Sequence, residues 1–277
     1  AGWAVAGASG SLYARDPIAL DVNTAWSLSD ERRVAGIAHA AGDLDRLLVE
    51  AHLTGPGIGR VTAEIRNLTS ELTWKGKAQI QKLDLTQWIA NPPFGPLRAE
   101  LAISGDRSHY AALGIVLANG LPEQGVKVDT RASYADRIVT IESIALETGP
   151  ASFIHANGTM TVAEELSYDV SATWAGFRWP LTGNAVLTSP RGSLEARGWT
   201  DFDYRVSGDF QPAGRPPIAG NAAGRFTAGE IAVDESTWRV LGGRVSLRGR
   251  LGRGEAQDWS VSGRAADIDP SKLRKEL

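Results

Sequence analysis

WRVLGGRVSLRGRLG, residues 238–252, holds the reading on which the fold turns. Taken two residues at a time, Val245, Leu247 and Leu251 fall on one side, and Arg244, Ser246, Arg248 and Arg250 fall on the other. Trp238 and Val240 continue the apolar side ahead of a double glycine. A period of two is the mark of an extended strand with one face dry and one face wet. Gly242 and Gly243 read as a bend or bulge within that strand, one that lets a sheet curl. The stretch poses a question of supply: something must cover the apolar face.

The same alternation runs along most of the chain. In 71–81, Leu72, Trp74, Ala78 and Ile80 oppose Lys75, Lys77, Gln79 and Gln81. In 165–174, Leu166, Tyr168, Val170, Ala172 and Trp174 oppose Ser167, Asp169, Ser171 and Thr173. In 202–210, Phe202, Tyr204, Val206 and Phe210 oppose Asp203, Arg205, Ser207 and Asp209. In 258–265, Trp259, Val261 and Ala265 oppose Asp258, Ser260, Ser262 and Arg264. Turn residues separate these runs, as in GPGIG, NPPFGP and PAGRPPIAGN. Many short strands between regular turns predict an all-β protein of mostly antiparallel strands. Residues 43–53 carry both a helical and a strand spacing, and the strand is favoured because its neighbours are strands. Asp269 followed by Pro270 predicts a short helix over 269–277.

Composition narrows the function. The chain has 277 residues, 43% of them hydrophobic and 22% charged, with a net charge of −3. Such a balance supplies a core and argues against a nucleic-acid partner, which selects for basic excess. With no cysteine there is no disulfide and no thiolate chemistry. No apolar run approaches the roughly 20 residues that span a bilayer, and no signal peptide is visible. The chain opens and stops in mid-pattern, so it reads as an internal fragment whose anchor would lie outside it.

Trp74, Tyr168 and Trp259 each begin a similar alternating strand, 94 and 91 residues apart. The expectation is one continuous β-groove segment over 1–277 with repeats at 1–90, 91–180 and 181–277. Separate sandwich domains are the alternative.

No catalytic set emerges. His39, His52, His109 and His155 lack metal-ligand spacing. The pairs Asp43/Asp45, Asp201/Asp203 and Asp267/Asp269 sit near strand ends, where aspartate serves turns. The glycine-rich GASGS and GPGIG fit neither a nucleophile elbow nor a phosphate cradle. No metal or cofactor is expected.

Amphipathic helices that could cover the dry face are missing. The sheet must then close on a second sheet or fold into a trough around an apolar ligand. Inward positions mix small residues with large ones, which favours the trough. Its expected lining is Leu72, Trp74, Ala78, Ile80, Leu166, Tyr168, Val170, Trp174, Phe202, Tyr204, Val206, Trp238, Val240, Val245, Leu247, Leu251, Trp259 and Val261.

Two segments, LGGRVSLRGRLG…DWSVSGRAADIDPSKL (241–273) and AHLTGPGIGRVTAEIRNLTSELTWKGKAQIQKLDLTQW (51–88), resemble the TamB family. The resemblance implies a long sheet curled lengthwise, the β-taco, within the AsmA-like, bridge-like lipid transfer proteins. It further implies an inner-membrane anchor, a periplasmic location and a TamA-like outer-membrane barrel as partner. Phospholipid acyl chains would pass along the apolar interior between the membranes, supporting outer-membrane assembly. It implies no catalytic residues. Two rival readings are a structural or adhesive β-repeat with a dry core, and a carbohydrate-active β-repeat enzyme using a D-x-D pair.

Overall fold

A computed structural model of the chain describes residues 3–14, 18–28, 35–55, 57–87, 92, 94–162, 166–252 and 258–275. They fall into two compact units, 1–133 and 134–277.

The first unit is an antiparallel meander: β1 (Trp3–Tyr13), β2 (Ala19–Leu28), β3 (Ala35–Asp43), β4 (Arg46–Gly55), β5 (Gly57–Arg66), β6 (Thr73–Leu83), β7 (Leu97–Asp106), β8 (His109–Leu117) and β9 (Val126–Ala135), whose last two residues pass the boundary. Each strand pairs with the next. The second unit repeats the plan with β10 (Ile138–Gly149), β11 (Ser152–Thr161), β12 (Ser167–Trp179), β13 (Leu187–Gly198), β14 (Phe202–Pro212), β15 (Ile218–Phe226), β16 (Glu230–Val240), β17 (Gly243–Gly252) and β18 (Trp259–Ala266). Among the described residues no register joins β1 to β9 or β10 to β18, so neither unit closes into a barrel. The fold is all-β, as the alternation predicts, and among the described residues only two short 3-10 turns, Leu85–Gln87 and Pro270–Lys275, interrupt it.

Residues 43–53 settle as a strand. The Asp43 carboxylate accepts the N–H groups of Asp45 and Arg46 at 3.0 and 2.7 Å, which forms a side-chain turn and starts β4 at once. The helix expected over 269–277 is the 3-10 turn Pro270–Lys275, capped where Asp269 accepts the Ser271 N–H at 3.0 Å.

The double glycine is not a bend inside one strand. Val240 pairs with Gly243, which leaves Leu241 and Gly242 as a two-residue hairpin turn. Both have positive φ, 53° and 82°, as a type I′ turn requires. Residues 238–252 are therefore the end of β16, a reversal, and the whole of β17. The alternation reads through because a two-residue turn keeps facing residues on the same side, so Trp238 stands opposite Val245.

Among the described residues neither unit has a second layer. Buried apolar residues among those described are few and mostly small: Leu47, Ala78, Ala99, Val126, Ala222 and Ala232. The largest side chain with almost no exposure is a serine, Ser189. It sits in a β13 bulge, where Thr188 and Arg191 flank an extra residue against Gln211 and Asp209. Its hydroxyl donates to the Asp209 carbonyl at 2.6 Å and accepts from Trp174 Nε1 at 2.8 Å. Ser189→Ala strands both groups, and its expected cost is about 1–3 kcal/mol of unfolding free energy, measurable by denaturant titration.

Candidate functional site: one apolar face in each unit

The register turns the period-two pattern into rows that run across the strands. In the second unit one row reads Val139, Met160, Tyr168, Gly198, Phe202, Phe226, Ile231, Leu251, Trp259. The next reads Gly158, Val170, Ala196, Tyr204, Gly224, Val233, Gly249, Val261, and the third Ala156, Ala172, Leu194, Val206, Ala222, Ser236, Leu247, Gly263. The fourth reads Ile154, Trp174, Gly192, Gly208, Gly220, Trp238, Val245, Ala265. None of these side chains is charged.

The outer rows are aromatic and the inner rows are small. Phe202 and Phe226 stack with centroids 4.8 Å apart, and Tyr168 leans on Phe202 at 6.1 Å. Six residues along the strands, about 20 Å by the rise of an extended chain, lies a second aromatic cluster. Phe210 packs between Trp174, at 6.3 Å, and Trp238, at 5.9 Å. Three glycines in consecutive strands, Gly192, Gly208 and Gly220, leave the space for these rings. A Cβ on Gly192 would meet the Trp174 ring, and one on Gly208 would lie 3.2 Å from Phe210 Cζ. Burial pushes the Tyr168 and Tyr204 phenols up, with the Asp234 carboxylate adding to the rise at Tyr204. Tyr204 reaches across Gly224 to donate to the Ala232 carbonyl at 3.0 Å.

The first unit has the same organisation. Leu20, Gly42, Leu47, Ile65, Trp74, Gly105 and Tyr110 form one outer row, and Trp26, Gly36, Leu53, Gly59, Ile80, Ala99, Val116 and Val126 the other. Between them the row Thr24, Ala38, Ala51, Val61, Ala78, Leu101, Gly114, Val128 is mostly small.

Of the residues expected to line a trough, Trp74, Ala78 and Ile80 share the face in the first unit. Tyr168, Val170, Trp174, Phe202, Tyr204, Val206, Trp238, Val245, Leu247, Leu251, Trp259 and Val261 share it in the second. Val240 ends β16 beside the hairpin turn, and Leu72 and Leu166 stand just before β6 and β12. Leu47, Leu53, Ile65, Leu194, Phe226 and Ile231 also lie on the face, although the expected lining did not include them. The face lies most open at the last strands, where Trp259 is 73% exposed and Val261 57%.

The opposite face is a lattice of ion pairs. Arg197 pairs with Asp169, Arg191 with Asp209 at 2.7 Å, and Arg205 with Glu195 at 3.4 Å. In the first unit Glu50 takes Arg60 at 2.9 Å and His52 at 2.8 Å, while Glu64 takes Arg66 at 2.5 Å and Arg46 at 3.0 Å. Hydrogen bonds from Arg60 and His52 hold the Glu50 carboxyl below the usual range, and those from Arg66 and Arg46 do so for Glu64. Asp21 pairs with His39 at 3.0 Å, and Asp84 and Asp269 cap turns. Asp106 accepts from the Ser108 and His109 backbone and the His109 ring, which holds its carboxyl far below the ordinary range. No cluster of side chains able to hold a metal ion occurs among the described residues. No helix among them is long and apolar enough to cross a membrane.

These features define an open, two-faced antiparallel sheet protein, apolar on one side of each unit and ion-paired on the other. Residues 148–277 match the family model described as TamB, N-terminal domain. The match spans nearly all of the second unit and includes the 241–273 segment; the 51–88 segment lies outside it. No curated protein and no solved structure matches the chain. The TamB family is a transport and assembly module of the cell envelope, works with TamA and is not known as an enzyme. The match suggests a role in TamB-type lipid handling or outer-membrane assembly.

Proposed function

We propose that the apolar face is a non-catalytic lipid lane that carries phospholipid acyl chains through the periplasm between inner and outer membrane, in concert with a TamA-like barrel. The observation that carries this reading is the single-layer build. The apolar rows run strand after strand, and among the described residues no helix or second sheet covers them and no large apolar side chain is fully buried. A dry-core structural repeat would need that missing layer.

The row pattern suits a mobile chain better than a fixed ligand. Each buried methylene is worth about 0.8 kcal/mol, so what a sliding chain gives up behind it is regained ahead when the lane is uniform. Ser236 is the polar member of the third row, and its hydroxyl is bonded to the Leu247 carbonyl at 2.9 Å, which leaves the lane without a free donor there.

Photo-crosslinking in cells tests the reading. A crosslinker at position 247 is expected to capture phospholipid, and one at 248, on the ion-paired face, is expected to capture none. Lipid adducts at neither position, in protein that is folded, overturn it. Arg248 contributes only an exposed hydrogen bond to Ser262 Oγ at 3.1 Å. Arg248→Ala is therefore expected to change transport and stability little, within about 0.5 kcal/mol for the latter. A strong transport defect in that variant would mean that the working face is the other one.

A further inference from the structure

A hollow in the first unit lies on the ion-paired face. It encloses about 980 Å³ and is bounded by side chains from β3 to β9, with Lys75 and Lys77 at its centre. The register places Lys75 in one row with Leu48, Glu64, Ser104, Ala111 and Arg131, and Lys77 in one row with Glu50, Thr62, Ala102, Leu113 and Asp129. This is the face opposite the apolar rows.

Two facts about this hollow do not fit a plain solvated surface. The first is charge. Glu64, the acid directly across from Lys75, is already held by Arg46 and Arg66, and Glu50 by Arg60 and His52. Lys75 and Lys77 have no ion-pair partner among the described residues. Asp129, which also borders the hollow, has Arg131 at 3.9 Å, so the two lysines are the cations there that no acid pairs with, in a chain whose net charge is −3. The second is grease. Leu48 is 51% exposed and Leu113 58%, on either side of the lysines, with Ala41 beside Leu48, Ala111 on the strand of Leu113 and Ala102 between. Leu48 and Leu113 each lie two strands from the lysines, roughly 10 Å away by strand spacing.

We propose that this hollow is a second binding site, separate from the apolar lane, for an anionic amphiphile: a phosphate or carboxylate head on Lys75 and Lys77, and an alkyl chain over Leu48 or Leu113. An ammonium binds such a head as a point charge, so the site selects for charge more than for head shape. The acids around the lysines are each matched by a cation, Glu64 by Arg46 and Arg66, and Asp129, three strands from Lys77, by Arg131.

Calorimetric titration of the whole chain tests this with three probes: dodecyl phosphate below its micelle concentration, dodecylphosphocholine with the same chain and no net charge, and inorganic phosphate. Wild type is expected to bind dodecyl phosphate at least tenfold tighter than either of the others. The double variant Lys75→Gln/Lys77→Gln removes two exposed charges and no packing, and is expected to erase the preference over dodecylphosphocholine. Chain binding in the apolar lane does not depend on head charge, so it contributes equally with both dodecyl probes and cannot create the preference. An unchanged preference in the double variant overturns the site. Inorganic phosphate binding as tightly as dodecyl phosphate overturns the amphiphile and leaves a bare anion patch. Dodecylphosphocholine binding as tightly as dodecyl phosphate to wild type overturns the role of the lysines.

Discussion

Val245→Glu is expected to cut phospholipid crosslinking and transfer by at least tenfold while the protein stays folded. Val245 stands between Trp238 and Ala265 in a row without charge. A carboxyl there must either shed its water to let an acyl chain pass, which costs about 2–7 kcal/mol even for a neutral polar group, or keep its water and break the lane. Since about 1.4 kcal/mol corresponds to a factor of ten, the lower end of that range is enough. Leu247→Asp, two residues on and 38% exposed, is expected to act alike. The folded state tolerates both because neither side chain is enclosed by protein. Unchanged crosslinking, with circular dichroism and melting as in wild type, would refute the lane.

Gly192→Ala is expected to produce a large stability loss, about 1–3 kcal/mol, from the addition of one methyl group. The backbone at Gly192 has no left-handed φ, so the obstacle is the neighbour: the new Cβ would occupy the space of the Trp174 indole. Moving that ring also withdraws Nε1 from Ser189, whose hydroxyl is buried. A double-mutant cycle separates the causes. In a Trp174→Ala background, the same alanine at 192 is expected to cost less, because only the Ser207 carbonyl, 2.7 Å from the new Cβ, then stands in its way. Equal costs in the two backgrounds would place the effect in the backbone instead. Denaturant titration reads both arms.

The face of each strand was legible in the sequence because a period of two needs no knowledge of partners. Trp74 with Ile80, Tyr168 with Trp174 and Val245 with Leu247 fall together on that ground alone. What escaped depends on register. The Leu241–Gly242 turn was hidden because a two-residue hairpin preserves alternation across the reversal. The three glycines under Trp174, Phe210 and Trp238 lie in different strands, up to 28 residues apart in sequence, and only pairing brings them together. Ser189 looks like any turn serine until its two partners, from strands on either side, converge on it. The hollow around Lys75 and Lys77 was invisible for a related reason. Sequence shows which residues face outward, but not that Arg46 and Arg66 reach Glu64 first and leave the lysines without a counter-ion.

The bulge in β16 has a consequence for how such a strand can change length. Val233 stands opposite Gly249 and Ser236 opposite Leu247, so three steps on one strand match two on the other. Residues 231 and 233 keep the odd parity inward, and 236 and 238 the even. The bulge works like a frameshift suppressor in a reading frame of two: it absorbs one residue and restores the sense of all that follows. Losing either Asp234 or Glu235 would give two-to-two spacing and still leave Trp238 indoors, whereas losing a residue from unbulged β17 would turn every later side chain inside out. The bulges thus mark where this sheet can gain or shed single residues without exchanging its dry side for its wet one.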